Sequence, residues 1–298
     1  MLFKDKDVIC CLGDSITALG YWMAEAYQEI KKTTDVKFYN CGVAGSTAYK
    51  AEGYLYSNCL IHNPDWVVLM FGVNDIDRFA YAPEYNLPDK EKRINEAMAR
   101  FKAAYESIIK KCQAFGSKVI VGIPVPYDEV SDNETENIKC QWGLDNANAF
   151  ARELAEKYGC PVVDFGAEFG RRLPDSTIMR ADRVHPTNRG MHIMAQTFLK
   201  ETGVIDECDF DSEFVFEDWN KKRFDAEMEL HYLNFTQLCA FFDPANPFAD
   251  KNEIMEKVKT RLAESTDPDD YGTRCYREYI EKYPHRDVYE GELIKLTI

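Results

Sequence analysis

A serine hydroxyl is a poor nucleophile until a base takes its proton. The chain sets one serine and one histidine in surroundings that suit this exchange. Ser15 lies in Cys11-Leu12-Gly13-Asp14-Ser15-Ile16-Thr17, directly after an apolar run at residues 8–12. That run is short and ends at a glycine, so it reads as a buried strand. A serine on the turn that follows points toward the crevice where open α/β sheets bind ligands. Of the five histidines, His185 stands out, because Asp182 precedes it by three residues and Pro186 follows it. On a turn, the carboxylate can hold one imidazole nitrogen and leave the other to face Ser15. Acyl transfer also needs donors for a developing oxyanion. The stretch Gly42-Val43-Ala44-Gly45-Ser46-Thr47 offers backbone N–H groups, and Gly72-Val73-Asn74-Asp75 offers the Asn74 amide. Each piece alone has an ordinary explanation. Gly-Asp-Ser is common turn composition, D-x-x-H arises by chance on surface loops, and glycine and asparagine start helices and turns. The weight lies in their occurring together.

These loops need a scaffold that brings them to one place. Apolar runs at residues 8–12, 36–41, 66–71, 118–123 and 161–165 read as five strands. Helical spacing marks residues 20–32, a segment after Thr47, residues 91–115 with Ile94, Met98, Phe101, Tyr105, Ile108 and Ile109 on one face, residues 139–158, and residues 188–202. A polar loop is expected from 75 to about 88, and an irregular region around Asp182 to Pro186. Strands that alternate with helices and are apolar throughout give a parallel sheet covered on both faces. Right-handed crossovers then carry every strand's carboxyl end to the same edge. The Ser15, Gly45 and Asn74 loops therefore meet there.

With these residues in view, the chain resembles the GDSL/SGNH hydrolases. Gly13-Asp14-Ser15 matches the first block of that family, with Ile16 where the name-giving motif has leucine. Asn40-x-Gly42-x-x-Gly45-x-Thr47 matches the second, Gly72-x-Asn74-Asp75 the third, and Asp182-x-x-His185-Pro186 the last. The four occur in the family's order across about residues 8–190. The resemblance implies a three-layer α/β/α flavodoxin-like fold, with Ser15 as nucleophile, His185 as base and Asp182 orienting it. It implies an oxyanion hole from the Ser15 and Gly45 amides and the Asn74 side chain, with no cofactor and no metal. Asp14 and Asp75 belong to the motifs and are expected to brace the loops.

The substrate is less legible. Tyr21 and Trp22 follow the nucleophile turn, Arg78, Tyr81 and Tyr85 follow Asn74, and Trp142 follows the fourth strand. Such aromatics stack on sugars at a site mouth, and equally serve as core or surface anchors. No long apolar loop offers to hold an acyl chain. The reading is therefore an esterase for short-acyl esters, such as acetyl groups on carbohydrates. A lysophospholipase, thioesterase or acyltransferase on the same site, or a non-catalytic binding protein of the same fold, are the alternatives.

Composition excludes other classes. The chain has 298 residues, 45% hydrophobic and 29% charged, with a net charge of −15. That charge opposes nucleic acid and anionic membranes as partners, and the longest unbroken apolar run, residues 66–71, is far too short to span a bilayer. Ten cysteines are scattered without C-x-x-C pairs or zinc spacing, as expected of reduced thiols in a cytoplasmic protein, and no secretory signal opens the sequence. Residues 1–205 carry a net charge of −4 and residues 206–298 one of −11, which suggests a boundary. The second segment is rich in aromatics and too small for a secure core of its own. It is expected to be a helical layer on the first domain or on a second copy in a homo-oligomer. Were it to border the site, its acidity would disfavour anionic substrates.

Overall fold

The computed structural model describes residues 1–212, apart from 84, 133, 134, 174 and 176. In chain order the elements are β1 (Val8–Gly13), α1 (Ser15–Leu19), α2 (Tyr21–Lys31), β2 (Lys37–Gly42), α3 (Ala48–Asn58), β3 (Trp66–Met70), α4 (Arg78–Tyr81), α5 (Lys90–Phe115), β4 (Lys118–Ile123), α6 (Gln141–Tyr158), β5 (Val162–Asp164), α7 (Phe165–Arg172) and α8 (Asn188–Glu201). The five strands form one parallel sheet in the order β2-β1-β3-β4-β5, the doubly wound flavodoxin-like order. Helices α2, α7 and α8 pack together on one face, and α3, α5 and α6 on the other. The sheet's β1 and β3 are buried from end to end apart from Val8, as a sheet covered on both faces requires.

The α2/α8 face is closed by an aromatic cluster. The ring of Trp22 lies 5.2 Å from that of Phe165 and 5.3 Å from that of Phe198, and Phe3 joins Phe38, Trp66 and Phe198. Beneath it runs a buried polar contact between α2 and α8: Glu25 and His192 are 3% and 5% exposed in their side chains, with His192 Nδ1 2.8 Å from Glu25 Oε1. The other imidazole nitrogen faces the Asp209 carbonyl at 2.9 Å, which fastens the start of the acidic segment to α8. Arg172 adds a contact to Asp211 at 3.3 Å and lies over the Phe210 ring at 4.9 Å. The segment's remainder, residues 213–298 with His231, His285 and the helical layer expected of it, lies outside the described residues.

Register places the site. Gly13 pairs with Gly42 on one side and with Met70 on the other, so the loops after β1, β2 and β3 leave the sheet side by side. Gly42 has no room for a side chain, since a Cβ there would lie 2.3 Å from the Ala18 nitrogen. The backbone of β2 is thus pressed against α1. All five strands lie within two residues of their expected ranges. Three short helices do not appear in the sequence reading: α1, α4 in the expected polar loop, and α7 directly after the fifth strand. Among the described residues, no helix is long and apolar enough to cross a membrane.

Candidate active site

Ser15 is the first residue of α1, with Asp14 as its cap: Asp14 Oδ1 accepts the Ile16 N–H at 2.9 Å. This holds the turn that lifts Ser15 above the sheet edge. The hydroxyl of Ser15 lies 2.7 Å from His185 Nε2, across 170 positions of sequence. His185 Nδ1 lies 2.9 Å from Asp182 Oδ2. The other carboxylate oxygen accepts the N–H of Val184 at 2.9 Å and of His185 at 2.8 Å. Asp182 therefore shapes the turn and the ring together. Partial burial pushes its carboxyl up, but these N–H donors and the imidazole outweigh it and hold it below the usual value, so it stays ionised.

The flanking loops are tied to one another. The Asn40 amide donates to the Ala18 carbonyl and its oxygen accepts the Gly42 N–H, both at 3.0 Å, while the Val43 N–H donates to the Gly13 carbonyl at 3.0 Å. Gly45 is exposed, with a left-handed φ of 69°, a conformation that favours glycine. The Asn74 side-chain amide donates to the Ser46 carbonyl at 3.1 Å. Asp75 accepts the Ala48 N–H at 2.8 Å and the Gly72 N–H at 3.0 Å, which joins the loop after β2 to the loop after β3. Burial raises Asp14 to about 6 and Asp75 to about 7, against the pull of these N–H donors.

Sequence reasoning missed Arg183, between Asp182 and His185. It is buried, with φ at 65°, a costly conformation for a side-chain-bearing residue. Its guanidinium donates to the carbonyls of Asp128 and Ser131 at 3.0 Å and of Thr135 at 2.9 Å, and its own carbonyl accepts the Asp128 N–H at 2.9 Å. These bonds offset the strain and fasten the loop bearing His185 to the loop after β4. Nothing in the D-x-x-H spacing announces such a role.

The expected pocket residues divide. Trp22 is a correction: it is wholly buried in the aromatic cluster and meets no substrate. Tyr21 is half-buried against the same core. Tyr81 is 3% exposed, and its ring lies edge-on to Trp142 at 4.2 Å, while Trp142 is 50% exposed. Tyr85 donates to Glu136 at 2.7 Å. Arg78 is half-buried over the Tyr127 ring. Among the described residues, the sulfurs of Cys10, Cys41 and Cys59 lie within 4.8 Å of one another in the core. Burial pushes all three thiols well up, so they are neutral and poor metal ligands as they stand.

A doubly wound sheet that brings a serine hydroxyl, an imidazole and a carboxylate into line at its carboxyl edge has the arrangement of a serine hydrolase. Residues 11–193 match the GDSL-like Lipase/Acylhydrolase family, and the chain belongs to that family; it is an ester-hydrolysing enzyme. It is 26% identical over 179 residues to an acetylxylan esterase of Geobacillus stearothermophilus, covering 59% of this chain and 76% of that protein. Among solved structures, a gut microbial diltiazem-metabolizing enzyme is 24% identical with a TM-score of 0.59, covering 67% of this chain. This chain spans about half, 48%, of that structure's length. The Geobacillus stearothermophilus acetylxylan esterase Axe2 is 21% identical with a TM-score of 0.57, covering 72% of this chain and 100% of the other. These structures share the fold.

Proposed function

We propose that the enzyme hydrolyses short-acyl esters, acetyl groups on carbohydrates foremost, through an acyl-enzyme on Ser15. The observation that carries this reading is the 2.7 Å contact between Ser15 Oγ and His185 Nε2, with Asp182 on the far side of the ring. In the first step the Ser15 oxygen bonds to the ester carbon while its proton passes to His185. Negative charge on the carbonyl oxygen is met by the Ser15 and Gly45 amides and the Asn74 side chain. As the intermediate collapses, the bond to the alcohol oxygen breaks and His185 returns the proton to it. Water then gives a proton to the same imidazole, attacks the acyl carbon and releases the acid, restoring Ser15. Asp182 holds the tautomer and balances the imidazolium charge.

The exposed Trp142 beside Tyr81 supports sugars as the alcohol part. The acetylxylan esterase among the relatives supports acetyl as the acyl part. Residues 206–212, seated on α7 and α8, support the acidic segment as a layer on the hydrolase part. Among the described cysteines eight are free and seven of these are buried, which supports a reducing, cytoplasmic setting. The test is a panel of p-nitrophenyl esters from acetyl to long-chain acyl together with acetylated xylo-oligosaccharides. The wild type should prefer acetyl, and Ser15→Ala and His185→Ala should each lose nearly all rate, with the double variant little worse than either. Undiminished cleavage by Ser15→Ala removes the proposal.

A further inference from the structure

The groups above deal with the ester carbonyl and leave the alcohol part of the substrate without a recognised partner. Just past Asn74 and Asp75 stands Arg78, first residue of α4. Its guanidinium carbon lies 4.8 Å from the centroid of the Tyr127 ring. Its other neighbour is the Cys140 thiol before α6, which burial pushes up to about 11 against the pull of the Arg78 charge. Neither neighbour is an anion. The Arg78 Nε is covered and meets no acceptor, so a counter-charge has to arrive at the outer nitrogens. Neither carboxylate of the adjoining loops forms an ion pair with it. Asp77 takes the Arg93 guanidinium at 2.6 Å, and Glu129 accepts the N–H groups of Cys140 and Gln141 at 2.6 and 2.7 Å. A half-buried cation with no ion-pair partner among the described residues gains from an anionic ligand that reaches it.

Its footing is the site itself. The Tyr127 hydroxyl donates to the Val73 carbonyl at 2.5 Å, next to Asn74. The neighbouring Asp128 N–H donates to Arg183 in the loop of His185 at 2.9 Å. Tyr127 thus lies between the loop of the oxyanion donor and the loop of the base. A guanidinium offers donors only and fits a carboxylate in a two-pronged contact. We propose, resting on the esterase reading, that Arg78 determines specificity by binding a carboxylate on the alcohol part, so that the preferred substrates are acetyl esters of acidic, uronate-type sugars. The net charge of −15 does not forbid this, because at about 0.15 M salt distant charges are screened beyond roughly 8 Å.

The test compares two methyl glycosides acetylated at the same position, one of glucuronate and one of glucose, with p-nitrophenyl acetate as reference. A charge-assisted contact of this kind predicts a kcat/KM ratio of about 10- to 100-fold in favour of the uronate, expressed chiefly in KM. In Arg78→Met and Arg78→Gln the ratio should fall to about one, and in Arg78→Lys it should be intermediate. Calorimetry on Ser15→Ala should detect glucuronate binding and none of glucose. A wild-type ratio near one, a ratio unchanged in the variants, or cleavage of p-nitrophenyl acetate with neither sugar accepted overturns the inference and leaves the esterase standing. A folded wild type that cleaves no ester overturns the esterase reading, and the inference falls with it.

Discussion

Asp75 hydrogen-bonds the Ala48 and Gly72 N–H groups rather than Ser15, yet it should be one of the most costly residues to remove. In Asp75→Ala, the buried N–H groups of Gly72 and Ala48 both lose their acceptor. Each such loss costs about 1–3 kcal/mol, so about 2–6 kcal/mol is expected in all. The cost also depends on pH. Burial raises this carboxyl from 3.8 to about 7, so the folded chain holds the proton more tightly than the unfolded chain. That contribution is complete below the unfolded value and is lost as pH rises through the folded one. Between about pH 5.5 and pH 8 it amounts to about 2 kcal/mol, and alanine has no proton to bring it. The variant should therefore lose about 2 kcal/mol more at the lower pH. Urea unfolding at both pH values measures this. Because Asp75 joins the Gly45 loop to the Asn74 loop, kcat on p-nitrophenyl acetate should also fall by about tenfold or more. An equal cost at both pH values would refute the buried proton, and an undiminished kcat would refute the brace.

Two further outcomes follow from other contacts. Gly42→Ala should cost about 3 kcal/mol or more, measured by thermal melting, because its Cβ would meet the backbone of α1 at 2.3 Å. Glu25→Leu should cost about 3–5 kcal/mol by leaving His192 buried without its carboxylate. Burial lowers His192, but the bonds to Glu25 and Asp209 outweigh it and raise the imidazole above its ordinary value. This contribution is complete below that ordinary value and fades as pH rises through the folded one, so the loss on urea unfolding should shrink in alkali.

The strands were legible because each is a short, continuous apolar run bounded by glycine, proline or charge, and the long helices because their apolar positions repeat. α7 was not, because β5 passes straight into it through Asp164, whose side chain serves as cap, and Gly166 and Gly170 weaken the helical signal. α4 is one turn whose cap, Asp77, also reads as loop composition. That the Ser15 and His185 loops meet was legible because the four motifs stand in one order along the chain. Trp22 was not: a position next to a site turn says nothing of which way a helix turns its side chains, and this one faces the core. Arg183 was hidden for the opposite reason, since its partners are backbone carbonyls, which leave no mark in a sequence.

The 170 positions between Ser15 and His185 also set an order in time. During synthesis β1 and its serine emerge first, and β1 must wait for β3 to arrive on its far side. The imidazole follows only after β5 and α7, on the loop that leads into α8. Pairings between such distant parts of a chain form late and slowly. Until they form, the hydroxyl has no base, and a half-built chain cannot acylate itself on the esters around it. Esterase activity should thus return last on refolding, after the helical and sheet signals have recovered.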